Sequence, residues 1–128
     1  DGSDSTIIAC GITVKMALDA ADLLQQDGIS CRVIDCFSIK PIDKDLLEKA
    51  ARETGSIVTC EEHNVMGGMG SAVAEVISES YPVPIKRIGV QDKFGESARD
   101  SEIPRLFEKH GITSINIANT IKEQRSKR

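Results

Sequence analysis

A regular alternation of short β-prone runs with amphipathic helical segments is the feature that most constrains this chain. The apolar runs STIIAC (5–10), ISCRVIDCF (29–37), SIVTCEE (56–62) and IKRIGV (85–90) predict four strands. The stretches between them are long enough for helices and too long for hairpins, so the strands must run mostly parallel with right-handed crossovers. The sequence therefore predicts an α/β fold, a three-layer α/β/α sandwich around a mostly parallel sheet of four to five strands.

The predicted helices follow from apolar spacing and from their end signals. The first places apolar residues at i, i+3, i+4 and i+7 spacing and ends at Gly28. The second begins after the capping residue Asp43 and ends near Gly55. The residues expected inside these two helices are Val14, Ala17, Leu18, Ala21 and Leu24 in the first, and Leu46, Leu47, Ala50 and Ala51 in the second.

Further helices are predicted after the third and fourth strands. A helix that follows a glycine-rich loop is expected to bury Ala72, Val73, Val76 and Ile77. Two more are predicted at about 101–109 and 114–123, with Thr113 capping the second of them. Because no repeat or linker interrupts the pattern, residues 1–128 are expected to form a single domain.

Composition and charge exclude several classes of protein. A chain of 128 residues can fold without a metal or a disulfide, and a net charge of −4 argues against a nucleic-acid partner. No apolar run approaches the roughly 18 residues that cross a membrane, and the polar start is not a targeting segment, so we expect a cytoplasmic protein. A start at Asp1 rather than Met suggests a piece of something longer. Residues 122–128, KEQRSKR, are expected to form a basic, flexible tail.

The stretch 61–71, EEHNVMGGMGS, joins a predicted strand to a predicted helix. Open α/β sheets bind ligands beyond the carboxyl ends of their strands, where this loop is expected. Glycines allow close approach of the backbone, and free N–H groups at a helix start can receive an anion. The spacing matches neither a dinucleotide fingerprint nor a phosphate loop. An assembly turn and an anion-binding loop both stay open, with these candidate residues: Glu62, His63, Gly67, Gly68, Gly70 and Ser71.

Two histidines are present, and each has a structural and a chemical interpretation. His63 follows two carboxylates, which favour its charged form and would suit an acid/base group, but hydrogen bonds could equally pin it at the strand end. His110 precedes Gly111 at a predicted helix end, where a cation complements the helix dipole. That placement is sufficient to explain His110.

The four cysteines are expected to be reduced and free of metal. Cys10, Cys36 and Cys60 fall near predicted strand ends, and Cys60-x-x-His63 has a ligand-like spacing. However, no C-x-x-C pair is present, and buried cysteine behaves as a small apolar residue in sheet cores. A Ser/His/Asp triad is not predicted either, because the sequence has no G-x-S-x-G elbow.

Four blocks of the sequence carry a resemblance to a known family. They are, in order, ACGITVKMALDAADLL (9–24), RVIDCFSIKPID (32–43), EEHNVMGGMGSAVAE (61–75) and RIGVQDKFGESA (87–98). Together they resemble the C-terminal domain of transketolase, and the similarity runs over about 7–121. The same domain type occurs in 1-deoxy-xylulose-5-phosphate synthase and in the β subunit of 2-oxoacid dehydrogenase complexes. IKPID (39–43) and FGES (94–97) resemble transketolase more closely, although Ala98 stands where the family is expected to have glycine.

This resemblance implies a thiamine diphosphate and Mg²⁺ dependent transferase of the pentose phosphate pathway, which moves a two-carbon ketol unit between sugar phosphates as a homodimer. The family holds the diphosphate through Mg²⁺ with a G-D-G motif followed by asparagines, and this sequence lacks that motif. By resemblance, then, this domain contributes no catalytic, cofactor-binding or metal-binding residue and is inactive alone. Its implied partners are the thiamine-binding domains or an N-terminal subunit.

Three hypotheses remain open from the sequence. The first is a noncatalytic assembly domain of transketolase, fused to or separate from the catalytic part. The second is the same domain from a 2-oxoacid dehydrogenase β subunit or from 1-deoxy-xylulose-5-phosphate synthase. The third is a free-standing anion or nucleotide-binding module that uses the turn at 67–71.

Overall fold

Strands and helices alternate along the chain as the sequence predicts. The computed structural model describes residues 2–11, 13–35, 44–64, 69–90 and 113–126, with backbone alone at 62–64, 69 and 90. The elements are β1 (Ser5–Ala9), α1 (Thr13–Gln26), β2 (Cys31–Asp35), α2 (Lys44–Thr54), β3 (Ile57–Asn64), α3 (Met69–Ser80), β4 (Ile85–Val90) and α4 (Ser114–Ser126). The predicted helix at 101–109, the Asp43 cap, Cys36 and His110 lie outside the described residues.

Within the described residues, four parallel strands form one sheet in the order β2-β1-β3-β4. The central strand β1 pairs with β2 along its whole length and with the first half of β3. Cys60 pairs with Ile88 and Asn64 with Val90, so four steps along β3 match two along β4. The register therefore shifts near the carboxyl end of β3, beside the start of α3.

Helices cover both faces of the sheet, which confirms the predicted three layers. Side chains alternate across a strand, so neighbours on β1 reach opposite cores. Ile7 and Ala9 pack in a cluster with α1 and α4, whereas Ile8 packs in a cluster with α2 and α3. All five residues of β1 are buried, as the middle strand of a parallel sheet should be.

The buried faces of the helices differ in part from the predicted ones. In α1 the buried positions are Thr13, Ala17, Ala20 and Leu24, and Leu18 is 51% exposed. The buried line runs through Ala17 and Ala20, and Leu18 lies about 100° around the helix from Ala17. Leu46 of α2 is likewise exposed, whereas Leu47, Ala50 and Ala51 are buried as predicted. Periodicity located both helices, but it assigned one exposed leucine to the buried face of each, Leu18 in α1 and Leu46 in α2.

The end signals of two helices are where the sequence placed them. Gly28 follows α1 with a φ of +77°, a conformation that glycine adopts without strain. The Thr113 side-chain oxygen accepts a hydrogen bond from the Asn116 N–H at 3.1 Å, which confirms the predicted cap of α4.

Residues 122–126 differ from the flexible tail expected there, because they continue α4. Lys122 Nζ lies 2.5 Å from Asp27 Oδ2, and Arg125 Nη1 lies 3.3 Å from Asp4 Oδ1. Gln124 Nε2 donates to the Ile57 carbonyl at 3.1 Å. The charge pattern predicted that these basic side chains are solvated. Lys122 and Arg125 instead contact acidic residues at the end of α1 and before β1. No helix in the described ranges has the length and apolarity that crossing a membrane requires.

Candidate functional site

The candidate site is the junction between the carboxyl end of β3 and the start of α3. Alternation along β3 directs Thr59 and Glu61 to the face on which α3 packs. Glu61 is fully buried there, and its Oε2 accepts a hydrogen bond from the Gly70 N–H at 2.5 Å. The first N–H groups of a helix have no partner within the helix, and its amino end carries partial positive charge. A buried carboxylate therefore stabilises the start of α3.

Gly70 lies so close to the sheet that a side chain has no room. A Cβ on Gly70 would lie 2.8 Å from Thr59 Oγ1 and 3.1 Å from Cγ and Cδ of Arg87. Gly70 does not have a positive φ, so the steric contact, and not the backbone conformation, requires glycine. The structure thus supports the close backbone approach expected of this loop.

A second contact ties the start of α3 to β4. Arg87 Nη1 donates to Ser71 Oγ at 3.2 Å, and the aliphatic part of Arg87 lies against Gly70. Gly70 and Ser71, two of the predicted site residues, therefore contact β3 and β4.

The other candidates of this loop lie outside what the structure describes. They are Gly67 and Gly68, and the side chains of Glu62 and His63.

Sequence reasoning missed Thr59, Glu61 and Arg87 as members of this site. A signal for Glu61 was available in the sequence. Side chains alternate across a strand, so one of two adjacent carboxylates at its end must face inward. A buried carboxylate needs hydrogen-bond donors, and the next helix start supplies them. Thr59 and Arg87 had no comparable signal, since their roles depend on where α3 crosses the sheet.

The described residues do not fit thiamine diphosphate or its metal. They contain no group of three or more His, Cys, Asp or Glu side chains that could hold a metal ion. The start of α3 would suit a diphosphate in principle, but the Glu61 carboxylate already receives the Gly70 N–H. A phosphate placed there would meet a like charge at close range. The anion-binding interpretation of residues 67–71 stays a prediction, because Gly67 and Gly68 lie outside the described residues.

A buried hydroxyl joins the ends of β1 and β3. Thr13 Oγ1 accepts from the Cys10 N–H at 3.2 Å and lies 2.5 Å from the Cys10 carbonyl and 2.9 Å from the Cys60 carbonyl. Thr13 is the first residue of α1, and its side chain fixes the turn that leads into the helix. The adjacent strand ends are thereby held at a set spacing.

Cys10, Cys31 and Cys60 are free thiols, and burial governs their chemistry. Burial, followed by the nearby Cys10 and Glu61, raises the pKa of Cys60 from 9.0 to about 12. Burial and the nearby Asp4 raise the pKa of Cys31 from 9.0 to about 11. The thiolate is the nucleophile and the metal ligand, so neither residue suits either role at neutral pH.

These pKa shifts predict slow alkylation and a fall in stability at high pH. At pH 8 we expect iodoacetamide to leave Cys31 and Cys60 of the native protein unmodified, and to modify all four cysteines after denaturation. The unfolded thiols ionise near pH 9 while the folded thiols stay protonated, so the free energy of unfolding should fall as pH rises from about 9 to about 12.

Urea unfolding at several pH values measures how steeply the free energy of unfolding falls with pH. In Cys60→Ala this slope should be smaller. Rapid native-state alkylation of Cys60 at pH 8, or a slope that Cys60→Ala leaves unchanged, would contradict the assignment.

Comparison with known proteins identifies the family of this chain. The family model described as transketolase, C-terminal domain, matches residues 1–117. The chain belongs to the transketolase C-terminal domain family. This result confirms the resemblance of the four sequence blocks.

Curated relatives of this transketolase C-terminal domain include longer proteins. A 1-deoxy-D-xylulose-5-phosphate synthase from Heliobacterium modesticaldum is 42% identical over 95% of this chain and 18% of its own length. A subunit of the apulose-4-phosphate transketolase from Phocaeicola vulgatus is 44% identical over 96% of this chain and 38% of its own length. The chain therefore spans less than two fifths of either relative.

A solved structure shows the same domain. It is a split-gene transketolase described as an inactive beta4 tetramer, and it superposes with a TM-score of 0.88 at 48% identity, over 97% of this chain and 40% of that one. This similarity confirms the predicted α/β fold of the transketolase C-terminal domain.

Proposed function

We propose that this chain is the noncatalytic C-terminal assembly domain of a thiamine diphosphate and Mg²⁺ dependent transketolase, which transfers a two-carbon ketol unit between sugar phosphates. The observation that carries the proposal is the family match over residues 1–117. Thiamine diphosphate supplies the carbanion chemistry of the complete enzyme. In this proposal the chain's own contribution is to pack against the part that binds the cofactor.

The contacts at the end of β3 support an assembly role. Gly70 and Arg87 bring the start of α3 tightly onto the sheet, and Glu61 holds it there. Such an arrangement gives the carboxyl edge of the sheet a defined shape, which a docking surface needs. The proposed partners are the thiamine-binding domains or an N-terminal subunit, within a homodimeric, cytoplasmic enzyme.

A second candidate is the same domain of a 1-deoxy-xylulose-5-phosphate synthase. A relative with that name is 42% identical, close to the 44% of the transketolase relative. Both candidates place the chemistry outside this chain and differ in the reaction of the complete protein. The chain, assembled with its thiamine-binding part, should convert ribose 5-phosphate and xylulose 5-phosphate. Failure of the assembled enzyme to convert these two sugar phosphates would instead favour the second candidate.

The chain alone is expected to have no ketol transfer activity and to bind no thiamine diphosphate. The reasons are the missing diphosphate motif and the occupied start of α3. The similar split-gene transketolase is described as an inactive tetramer, which supports this expectation.

Calorimetry with the cofactor and Mg²⁺ tests the binding, and the same titration of the assembled enzyme is the positive control. A micromolar dissociation constant for the isolated chain would overturn the assignment. Titration with inorganic phosphate and with a nucleotide covers the free-standing binding module, for which we expect no heat of binding.

A further inference from the structure

A polar groove lies at the amino ends of the strands, at the opposite end of the sheet from the junction of β3 and α3. It has a volume of about 530 Å³ and is bounded by α2, the start of β2 and the segment before β1. Ligand sites in proteins have volumes in this range. Its described lining includes two cations and one anion, a formal charge of +1. These are Arg32, Lys49 and Glu53, with the hydroxyl residues Ser3 and Ser30 beside them.

The wall that the segment before β1 contributes is held on both sides. Gly2 packs so closely on β2 that a Cβ there would overlap the backbone of Cys31. The Asp4 N–H donates to the Ser30 carbonyl at 2.8 Å, and the Ser30 N–H donates to Asp4 Oδ2 at 2.7 Å. Arg125 Nη1 lies 3.3 Å from Asp4 Oδ1 and fixes the same segment to α4. The groove is therefore preformed, which lowers the ordering cost of binding a ligand.

Arg32 has more donor capacity than its described contacts use. Its side chain is only 17% exposed, and its Nη2 lies 2.7 Å from Glu53 Oε1. Its Nε is buried and has no hydrogen-bond partner among the described residues. A guanidinium offers five N–H donors, and a largely buried one gains from a further carboxylate. Because Nε has no exposed surface, a carboxylate in the groove would bind the Nη groups.

The spacing of the three charges indicates the class of ligand. Arg32 and Glu53 place a cation and an anion side by side, which matches the carboxylate and ammonium groups on the α-carbon of an amino acid. Lys49 lies one turn before Glu53 on α2, about 6 Å along the helix axis. It makes no ion pair with a described residue, so it is available to a second carboxylate.

We propose that this groove binds an acidic amino acid, with the α-carboxylate on Arg32, the ammonium group on Glu53 and the side-chain carboxylate on Lys49. Such a ligand has a net charge of about −1 at neutral pH, which balances the charge of the groove. Each charged group of the groove then has a partner of opposite sign. The proposal goes beyond the proposed function and does not depend on it.

Backbone amide chemical shifts of the purified chain, recorded during titration with L-glutamate, test the proposal. We expect saturable shifts at Ser3, Ser30 and Glu53. Glutamine lacks the second carboxylate and glutarate lacks the ammonium group, so each should bind at least about tenfold more weakly than L-glutamate. Inorganic phosphate offers Glu53 no ammonium group, and we expect no saturable shift with it.

Two lysine variants distinguish a site from a general effect of charge. Lys49→Gln removes one exposed charge from α2, and it should weaken the binding of L-glutamate at least about tenfold while glutamine stays within twofold of wild type. Lys15→Gln is the matched control, because it removes an exposed lysine from α1 on the other face of the sheet. It should leave the affinity for L-glutamate within twofold of wild type.

Three results would overturn the proposal. The first is the absence of a saturable shift with L-glutamate. The second is equal affinity for glutarate and L-glutamate, which would show that Glu53 does not recognise the ammonium group. The third is an equal change in Lys49→Gln and Lys15→Gln, which would show that only the net charge of the chain matters.

Discussion

Gly70→Val is expected to lower the free energy of unfolding by about 2–3 kcal/mol, the cost of forcing extra carbon atoms into a well-packed site. Its Cβ would start 2.8 Å from Thr59 Oγ1, and both Thr59 and the stem of Arg87 would have to move. Thr59 is buried and β-branched, so it has few alternative positions. Urea unfolding of the purified chain measures the effect.

Two controls separate the steric cause from a general intolerance of side chains. The smaller variant Gly70→Ala places the same Cβ near Thr59 Oγ1. Thr59→Ala removes this oxygen, so it should restore much of the stability that Gly70→Ala loses. Gly28→Ala meets no atom within 4 Å but must adopt a φ of +77°, so it should cost about 1 kcal/mol and show no coupling with Thr59→Ala. Additive losses for Gly70 and Thr59 would refute the steric explanation.

Gly70→Val should also weaken association with the thiamine-binding part while turnover per assembled enzyme stays nearly constant. An acid/base role for His63 predicts the opposite pattern, with intact assembly and a loss of about 10²-fold or more in kcat for His63→Ala. Measuring kcat and dissociation for both variants decides between them. Normal assembly of Gly70→Val with inactive His63→Ala would move this loop to the active site.

Thr13→Val is expected to destabilise the chain by about 1–3 kcal/mol, because buried backbone groups of Cys10 and Cys60 lose their hydrogen bonds to this side chain. The hydroxyl of Thr13 serves the Cys10 N–H and the carbonyls of Cys10 and Cys60, all in the core. Valine has the same shape as threonine, so the packing around the side chain and the position of α1 should stay unchanged.

Thr13→Ser is the matched control because it keeps the oxygen and removes a methyl group. We expect Thr13→Ser to cost about 1 kcal/mol, the usual value for one buried methyl or methylene group. Urea unfolding compares the two variants. Equal stability of the valine and serine variants would show that the hydrogen bonds contribute little.

The sequence predicted the fold well because its signals are local or follow from chain connectivity. Alternating strand and helix patterns imply parallel pairing, and Thr113 and Gly28 mark helix ends through their own backbone chemistry. How deeply each side of a helix is buried depends on the angle at which the helix crosses the sheet. The sequence of the helix alone does not encode this angle. Leu18 therefore lies outside the core although its spacing was correct.

The candidate site was predicted in part. Glycine spacing pointed to 67–71, and Gly70 indeed lies against the sheet. Its reason for being glycine comes from Thr59 and Arg87, which are 11 and 17 positions away, and no local pattern links them. Glu61 was overlooked because its partner, the Gly70 N–H, lies nine positions away in the next element. Lys122 and Arg125 likewise contact partners distant in sequence, Asp27 and Asp4.

The place of α4 in the chain affects how the protein folds during synthesis. Ile117, Ala118 and Ile121 complete the cluster that α1 and one face of the sheet begin, and they are translated after all of these partners. Among the described elements, α2 and α3 cover the other face, and the ribosome releases both of them earlier. Chains grow at about 5–20 residues per second. The side of the nascent sheet that α1 covers in part therefore stays incomplete for longer, and that side is where we expect a chaperone to bind the unfinished chain.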